Sequence, residues 1–203
     1  MGSEYKKYQR VGVFVDAQNI FYSARHVHRN SRVNYKKLID KAVSERQLVR
    51  AIAYVVETPD VDQTEFRSML EREGYEIKEK KVKIRSDGSM KADWDMGIAI
   101  DAISMAEKLD VMVLVSGDGD FVDMVNLMKS RGVVVEAISI KQSTSEDLIK
   151  AVNYYYPLET EDLIRAPQRS ARGGRGRRGG RAAGAATPGD AHANSGPNSS
   201  SAS

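Results

Sequence analysis

The chain of 203 residues contains no cysteine, which excludes a disulfide framework, a thiolate nucleophile and a structural zinc cage of sulfur ligands. That absence suits a reducing compartment. Histidine is nearly as scarce, with His26 and His28 close together in an expected loop and His192 near the C-terminus, so a histidine-ligated metal is not expected. No run approaches the ~20 apolar residues that a membrane span needs. Residues 1–10 are polar and charged with no apolar segment behind them, so no leader is expected either. Together these absences predict a cytoplasmic protein with no membrane partner.

What the chain does have is a hydrophobic fraction of 41%, enough for one well-buried domain with appendages. Its charge is unevenly placed. Residues 165–203 hold seven arginines against one acid, Asp190, whereas the first 164 residues are net acidic by three charges. From Gln168 onward the only hydrophobic residues are alanines, and Arg172 to Arg181 reads RGGRGRRGGR. Such a stretch buries too little apolar surface to offset its ordering entropy, which predicts a disordered Arg/Gly-rich tail. Arginine-rich segments of one sign bind single-stranded nucleic acid through phosphate contacts and stacking on bases, and Arg172, Arg175, Arg177, Arg178 and Arg181 are the candidate contacts. A solubilising linker is the plainer alternative.

Two continuous apolar runs, Val11 to Val15 and Val111 to Val115, read as strands buried on both faces of a parallel sheet. Between and after them the pattern alternates. Helices are expected over 17–25, 35–43, 59–73, 92–109, 121–130 and about 143–152. Further strands are expected over 48–56, from Tyr75, and over 133–138. Strands separated by helices of this length require right-handed crossovers, hence a three-layer α/β domain with a mainly parallel sheet. The organisation is an N-terminal extension over 1–9, the domain over 10–164 and the tail over 165–203. Tyr154, Tyr155 and Tyr156 read as aromatics closing the core after the last helix.

Between Lys78 and Lys91 the pattern becomes period-two, with Lys81, Lys83 and Arg85 alternating with Val82 and Ile84 before an Asp87-Gly88 turn. That suggests an extended arm or hairpin with one basic edge. Lysines on a solvated edge strand would look the same. Because the arm leads into Lys91, Asp93 and Asp95, a phosphate-contacting ridge of Lys81, Lys83, Arg85 and Lys91 is expected beside the acids.

The acids carry the chemistry. Asp16 ends the first strand, with Asn19 one turn later. Asp93 and Asp95 open a helix that also carries Asp101, and Asp118, Asp120 and Asp123 follow the strand from Val111. Open parallel sheets gather such residues beyond the carboxyl ends of their strands. Aspartate is a favoured N-cap, which could account for Asp93 or Asp120 alone, and Asp123 reads as a solvated helix residue. Capping does not explain Asp101, set among Ile98, Ala99, Ile100, Ala102 and Ile103, where a carboxylate needs a partner. Several converging carboxylates repel one another unless a hard divalent cation sits among them, so Mg²⁺ or Mn²⁺ is the implied cofactor. The matching chemistry is metal-assisted phosphodiester hydrolysis. Gly117 and Gly119 would let the backbone approach a phosphate or simply make a turn, and Ser116 could place a hydroxyl near the metal. Trp94 reads as packing against the arm.

Three segments, GVFVDAQNI (Gly12 to Ile20), KADWDMGIAIDAI (Lys91 to Ile103) and LVSGDGDFVDMV (Leu114 to Val125), resemble the three sequence blocks of the NYN domain, the LabA-like branch of the PIN-like nuclease superfamily. The resemblance covers about Arg10 to Leu158 and departs at Ala92, where the family usually has glycine. It implies a PIN-like, Rossmann-like fold and a metal-dependent ribonuclease site. Asp16, Asp95, Asp118 and Asp120 match the family's metal-binding acids, and Asn19 and Asp101 match its supporting polar positions. The expected function is a Mg²⁺ or Mn²⁺ dependent endoribonuclease acting on single-stranded or structured RNA, in a protein compatible with a homo-oligomer. An RNA-binding regulatory protein with a degenerate site is the alternative. A Toprim-like domain acting on DNA shares the paired acids but wants a glutamate after its first strand, where this chain has Asp16 and Asn19.

Overall fold

β1 (Arg10–Asp16) is buried at every position from Val11 to Asp16, which requires neighbours on both edges and cover on both faces. In the computed structural model, which describes residues 6–28, 31–57, 61–81, 83–84, 90–91 and 93–165, both conditions are met. β1 pairs in parallel with β3 (Gln47–Glu57) on one side and β7 (Val111–Val115) on the other. β4 (Glu76–Lys81) adds beyond β3, and β8 (Val134–Ser139) and β9 (Tyr154–Pro157) beyond β7, completing a parallel six-stranded sheet in the order β4-β3-β1-β7-β8-β9.

Alternate side chains of the same strands feed two separate cores. Val11, Val13 and Val15 of β1, with Ala51, Ala53, Val111 and Val113, face α1 (Ala17–Val27), α2 (Tyr35–Val43) and α3 (Thr64–Arg72) through Ile20, Leu38 and Leu70. Phe14, Ile52, Met112 and Leu114 face the other way, toward α4 (Asp95–Met105), α5 (Val122–Ser130) and α6 (Glu146–Ala151), through Ile98, Met128 and Leu148. The expected three-layer α/β domain with a parallel sheet is therefore what these residues build.

Local signals set the helix ends. Asn34 accepts a hydrogen bond from the Lys37 amide at 3.1 Å and caps α2. Gly74 (φ +90°) and Gly132 (φ +83°) follow α3 and α5 in the left-handed region that costs glycine least. α3 begins at Thr64, later than expected, because Asp62 accepts the Thr64 amide at 2.9 Å and turns the chain just before it; Pro59 and Asp60 lie outside the described residues. The long apolar segment after Ala92 is helical only over α4, then tightens to a 3₁₀ turn at Ala106–Lys108.

Three features differ from expectation. Lys78 to Lys81 belong to the edge strand β4, paired with Tyr54 to Glu57, so the basic arm starts beyond them. There β5 (Lys83–Ile84) pairs antiparallel with β6 (Met90–Lys91), the hairpin that the alternation implied; Val82, Arg85 and the Asp87-Gly88 turn lie outside the described residues. The tyrosine triplet forms β9, whose period of two sends only Tyr155 toward the core and leaves Tyr154 and Tyr156 exposed. A small sheet of β2 (Ser31–Val33) and β10 (Leu163–Arg165) escaped the pattern reading, each strand being three residues long. No helix among the described residues is long and apolar enough to cross a membrane. The expected disordered tail and its arginines from Arg169 onward lie outside the described residues.

Candidate active site

After β1 the chain steps outward to β3 and β4, then returns to lay β7 on the opposite side of β1. The loops leaving β1 and β7 consequently part in opposite directions and open a crevice at the carboxyl ends of these two strands. Val15 pairs with Val115 at the last rung, so Asp16 and Ser116 stand side by side where the sheet ends. The cleft there, about 270 Å³, is lined by Asp16, Gln18, Asn19, Tyr22, Ser23, Asp93, Asp95 and Asp118.

Hydrogen bonds hold its floor. The Asp16 carboxylate accepts the Asn19 amide at 3.0 Å, capping α1. The Asn19 side-chain oxygen in turn accepts the Gly117 amide at 3.0 Å, tying the start of α1 to the loop after β7. Ser116 is fully buried, and its hydroxyl accepts the Asp118 amide at 3.2 Å. Asp118 then accepts the Asp120 amide at 3.0 Å and caps the 3₁₀ turn Gly119–Phe121. The capping role thus falls on Asp118, and Asp120 is the residue being capped. Gly117 is required by close approach, since a Cβ there would stand 2.8 Å from the Ser143 carbonyl oxygen. The glycines accordingly serve packing against the following loop, without any positive φ at either position.

The electrostatics mark the same place. Asp16 is 6% exposed. Burial, reinforced by the charges of Asp95 and Asp118 and opposed by the Asn19 amide, pushes its carboxyl up to about 6. These groups fit a hard divalent cation in kind: the lining offers carboxylate, amide and hydroxyl oxygens, and the charges of Asp95 and Asp118 both disfavour ionisation of Asp16. Among the described residues, however, no three acidic or histidine side chains are already drawn together closely enough to hold an ion.

Of the six residues expected at the site, Asp16, Asn19, Asp95 and Asp118 line one cleft. Asp120 is exposed on the neighbouring turn and is not part of the lining. Asp101 is also absent from the lining. It lies six residues beyond Asp95, and at about 100° per residue the two point some 120° apart around α4. Its carboxylate accepts the Tyr54 hydroxyl at 2.7 Å and the Lys78 ammonium at 2.6 and 2.8 Å. Burial raises its pKa, but these two donors outweigh burial and hold it below the usual carboxylate range. The partner that so apolar a helix demands is therefore Lys78, with Tyr54, and the expected supporting position lies outside the residues that line the cleft.

Trp94 packs, as expected, but against the sheet end: its indole N–H donates to the Val55 carbonyl at 3.0 Å, its ring lies 5.3 Å from Tyr54, and the Lys80 ammonium sits 5.2 Å from the ring centroid. Among the basic candidates, Lys81 is exposed at the end of β4, and Lys83 and Lys91 are paired across the hairpin. Arg85 and the tail arginines lie outside the described residues. Tyr22 and Ser23 were missed, although they follow Asn19 by three and four residues and so share its helix face.

A Rossmann-like sheet with an acidic crevice at its switch point defines the architecture of PIN-like domains. The NYN domain family profile matches residues 10–159. The chain is similar to the low amplitude and bright protein LabA of Synechococcus elongatus, 28% identical over 158 residues covering 73% of this chain and 83% of LabA. It is also similar to the crystal structure of a protein of unknown function, VPA0982, from Vibrio parahaemolyticus, with a TM-score of 0.73 and 34% identity over 81% of this chain and all of that one. The chain belongs to the NYN domain family, in the LabA-like branch of the PIN-like nuclease superfamily.

Proposed function

We propose that the protein is a Mg²⁺ or Mn²⁺ dependent endoribonuclease. The observation that carries this reading is the convergence of Asp16, Asp95 and Asp118 on one cleft at the sheet's switch point, with Asn19 bridging the loops that bear two of them. Asp16, Asp95 and Asp118 would hold the cation, with Asp120 adjoining. When bound, such an ion supplies the charge that polarises a phosphoryl oxygen and acidifies an attacking water. Asn19 keeps Asp16 and Asp118 at a fixed separation through the Gly117 amide. Lys81, Lys83, Arg85 and Lys91, with the tail arginines, would contact the RNA backbone and position it without reading its sequence. A chain without cysteine fits the reducing cytoplasm, where we place it.

The spacing of the acids favours a second reading, an RNA-binding regulatory protein with a degenerate site, since the described carboxylates are not already gathered around an ion position. One experiment separates the two. RNA incubated with the full chain in chelator stays intact under both readings. On addition of Mn²⁺ or Mg²⁺ the nuclease shortens it, whereas the regulator keeps its RNA affinity and never cuts.

A further inference from the structure

Tyr22 lines the cleft beside Asn19 and Ser23, yet it is 61% exposed. Phe21, its neighbour on α1, is 44% exposed and meets Tyr22 edge to face, ring centroids 5.5 Å apart at 74°. One turn further on, the Arg25 guanidinium lies over the Phe21 ring, 5.9 Å from its centroid. Neither ring belongs to the two cores. A single exposed aromatic is ordinary. Two in contact, at the rim of an otherwise polar cleft and backed by a cation, make a patch of aromatic surface and positive charge beside the acidic centre on α1.

The chemistry such a patch accepts is narrow. The cleft itself is acidic and repels phosphates unless a cation sits in it, so it offers little grip on substrate of its own. An unpaired nucleobase presents a bare π-face that stacks on any aromatic ring, whereas bases within a duplex already cover theirs on one another. Guanidinium groups add both base stacking and phosphate contact.

We propose that Tyr22 and Phe21 form a stacking platform for an unpaired base beside the scissile phosphodiester, with Arg25 on an adjoining phosphate, so that the cleft takes single-stranded RNA and not duplex. This rests on the ribonuclease reading of the same cleft and names its substrate class. Tyr22 and Phe21 are positioning residues in it, and take no part in bond breaking.

The test measures binding in chelator, where nothing is cut. Fluorescence anisotropy of the full chain is followed at one fixed salt concentration with three probes: a short single-stranded RNA, an abasic strand with the same number of phosphates, and a duplex of the same length. The wild type should prefer the base-bearing strand over the abasic one, and Tyr22→Ala should lower affinity for that strand about 5- to 150-fold, the range for truncation of a stacking aromatic. Tyr22→Phe should restore the preference, because the ring and not the hydroxyl carries it. Abasic and duplex affinities should be the same in all three proteins, and the tail is present in each. Equal wild-type affinity for base-bearing and abasic strands would overturn the platform while leaving RNA as the substrate. So would a Tyr22→Ala protein that keeps the preference. No binding to any of the three probes, in chelator or with Ca²⁺ added to relieve the repulsion of phosphate by the acids, would overturn the platform and the RNA reading together. Melting temperatures matching the wild type exclude a folding defect, and Phe21→Ala provides an independent second truncation.

Discussion

The Asn19 side-chain oxygen accepts the Gly117 amide at 3.0 Å, a bond between residues far apart in sequence that fixes how the β1 and β7 loops face each other. Asn19→Ala leaves the Gly117 N–H, in a buried stretch of backbone, without its acceptor, which costs about 1–3 kcal/mol. The loop bearing Asp118 then loses its tie to the helix bearing Asn19, and RNA cleavage should fall by at least ~10-fold, the low end for lost outer-shell support. Asn19→Asp keeps the acceptor but adds a carboxylate beside Asp16, so it should recover stability mainly as pH falls to about 4. Urea midpoints for the three proteins check this, and equal stability of Asn19→Ala and wild type would show that the bond is not needed to join the loops.

Asp16 sets a pH dependence. Its folded-state pKa is about 6 against an ordinary 3.8, so the folded chain takes up a proton more readily than the unfolded one. The contribution to stability is fully present below the unfolded value and is lost as pH rises through the folded one. Above about 6 the charged, buried carboxylate costs on the order of 3 kcal/mol. Asp16→Asn keeps an acceptor for the Asn19 amide and removes the charge. In chelator its unfolding free energy should exceed that of the wild type near neutral pH, and the gap should close as pH falls to about 4. A gap independent of pH would mean that Asp16 is not the group responsible.

Asp118 and Asp120 separate next. Asp118 lines the cleft and Asp120 does not. Loss of an ion ligand removes several kcal/mol of transition-state stabilisation, so Asp118→Asn should cut RNA at least ~100-fold more slowly. Asp120→Asn, beyond the cleft lining, should lose less, about 10-fold, the low end for an outer-shell change. Both should stay folded, and metal-induced stabilisation should shrink mainly in the first. If Asp120→Asn is the more damaging, the ion sits further out, over the 3₁₀ turn.

Asp101 predicts the opposite division. Asp101→Ala strands the Tyr54 hydroxyl and the Lys78 ammonium, and should cost about 1–3 kcal/mol with cleavage unchanged at temperatures where the variant is folded. Parallel melting and cleavage assays decide it. Loss of activity without loss of stability would return Asp101 to the site.

Asp101 also shows why the site was only partly legible from sequence. Asp16 and Asp118 could be placed because each follows a continuous apolar run, and a run of that kind fixes both the strand and the end at which the chain leaves it. Asp101 sits inside a helix where neither a strand end nor a cap locates it, and its partner Lys78 lies on β4, 23 residues away. The pattern demanded a partner and could not say which. The layers were legible for the same reason as Asp16: Val13 and Phe14 feed opposite cores, so both must be apolar. β2 and β10 were not, since three residues each carry no period and their pairing is settled by the chain returning at Leu163 to lie beside Val33. Tyr22 was legible in principle, one turn from Asn19, but an exposed tyrosine in a helix gives no signal until the cleft beside it is known.

The tail separates binding from chemistry. Truncation after Pro167 removes Arg169, Arg172, Arg175, Arg177, Arg178 and Arg181 and no residue of the cleft. If all of these arginines contact single-stranded RNA, the slope of log affinity against log salt should fall in magnitude by up to ~4, taking about 0.7 per neutralised phosphate. Fewer contacts give a proportionally smaller change. Turnover at saturating RNA should survive, because a tethered basic segment raises the local concentration of substrate without organising the acids. The apparent KM should rise while kcat holds, the pattern of binding shared equally by ground state and transition state. Affinities measured in chelator across a salt series, for the full and truncated chains, check the first point, and initial rates with Mn²⁺ check the second. Superimposable salt lines would make the tail a solubilising linker and leave RNA binding to the basic arm and the aromatic rim of the cleft.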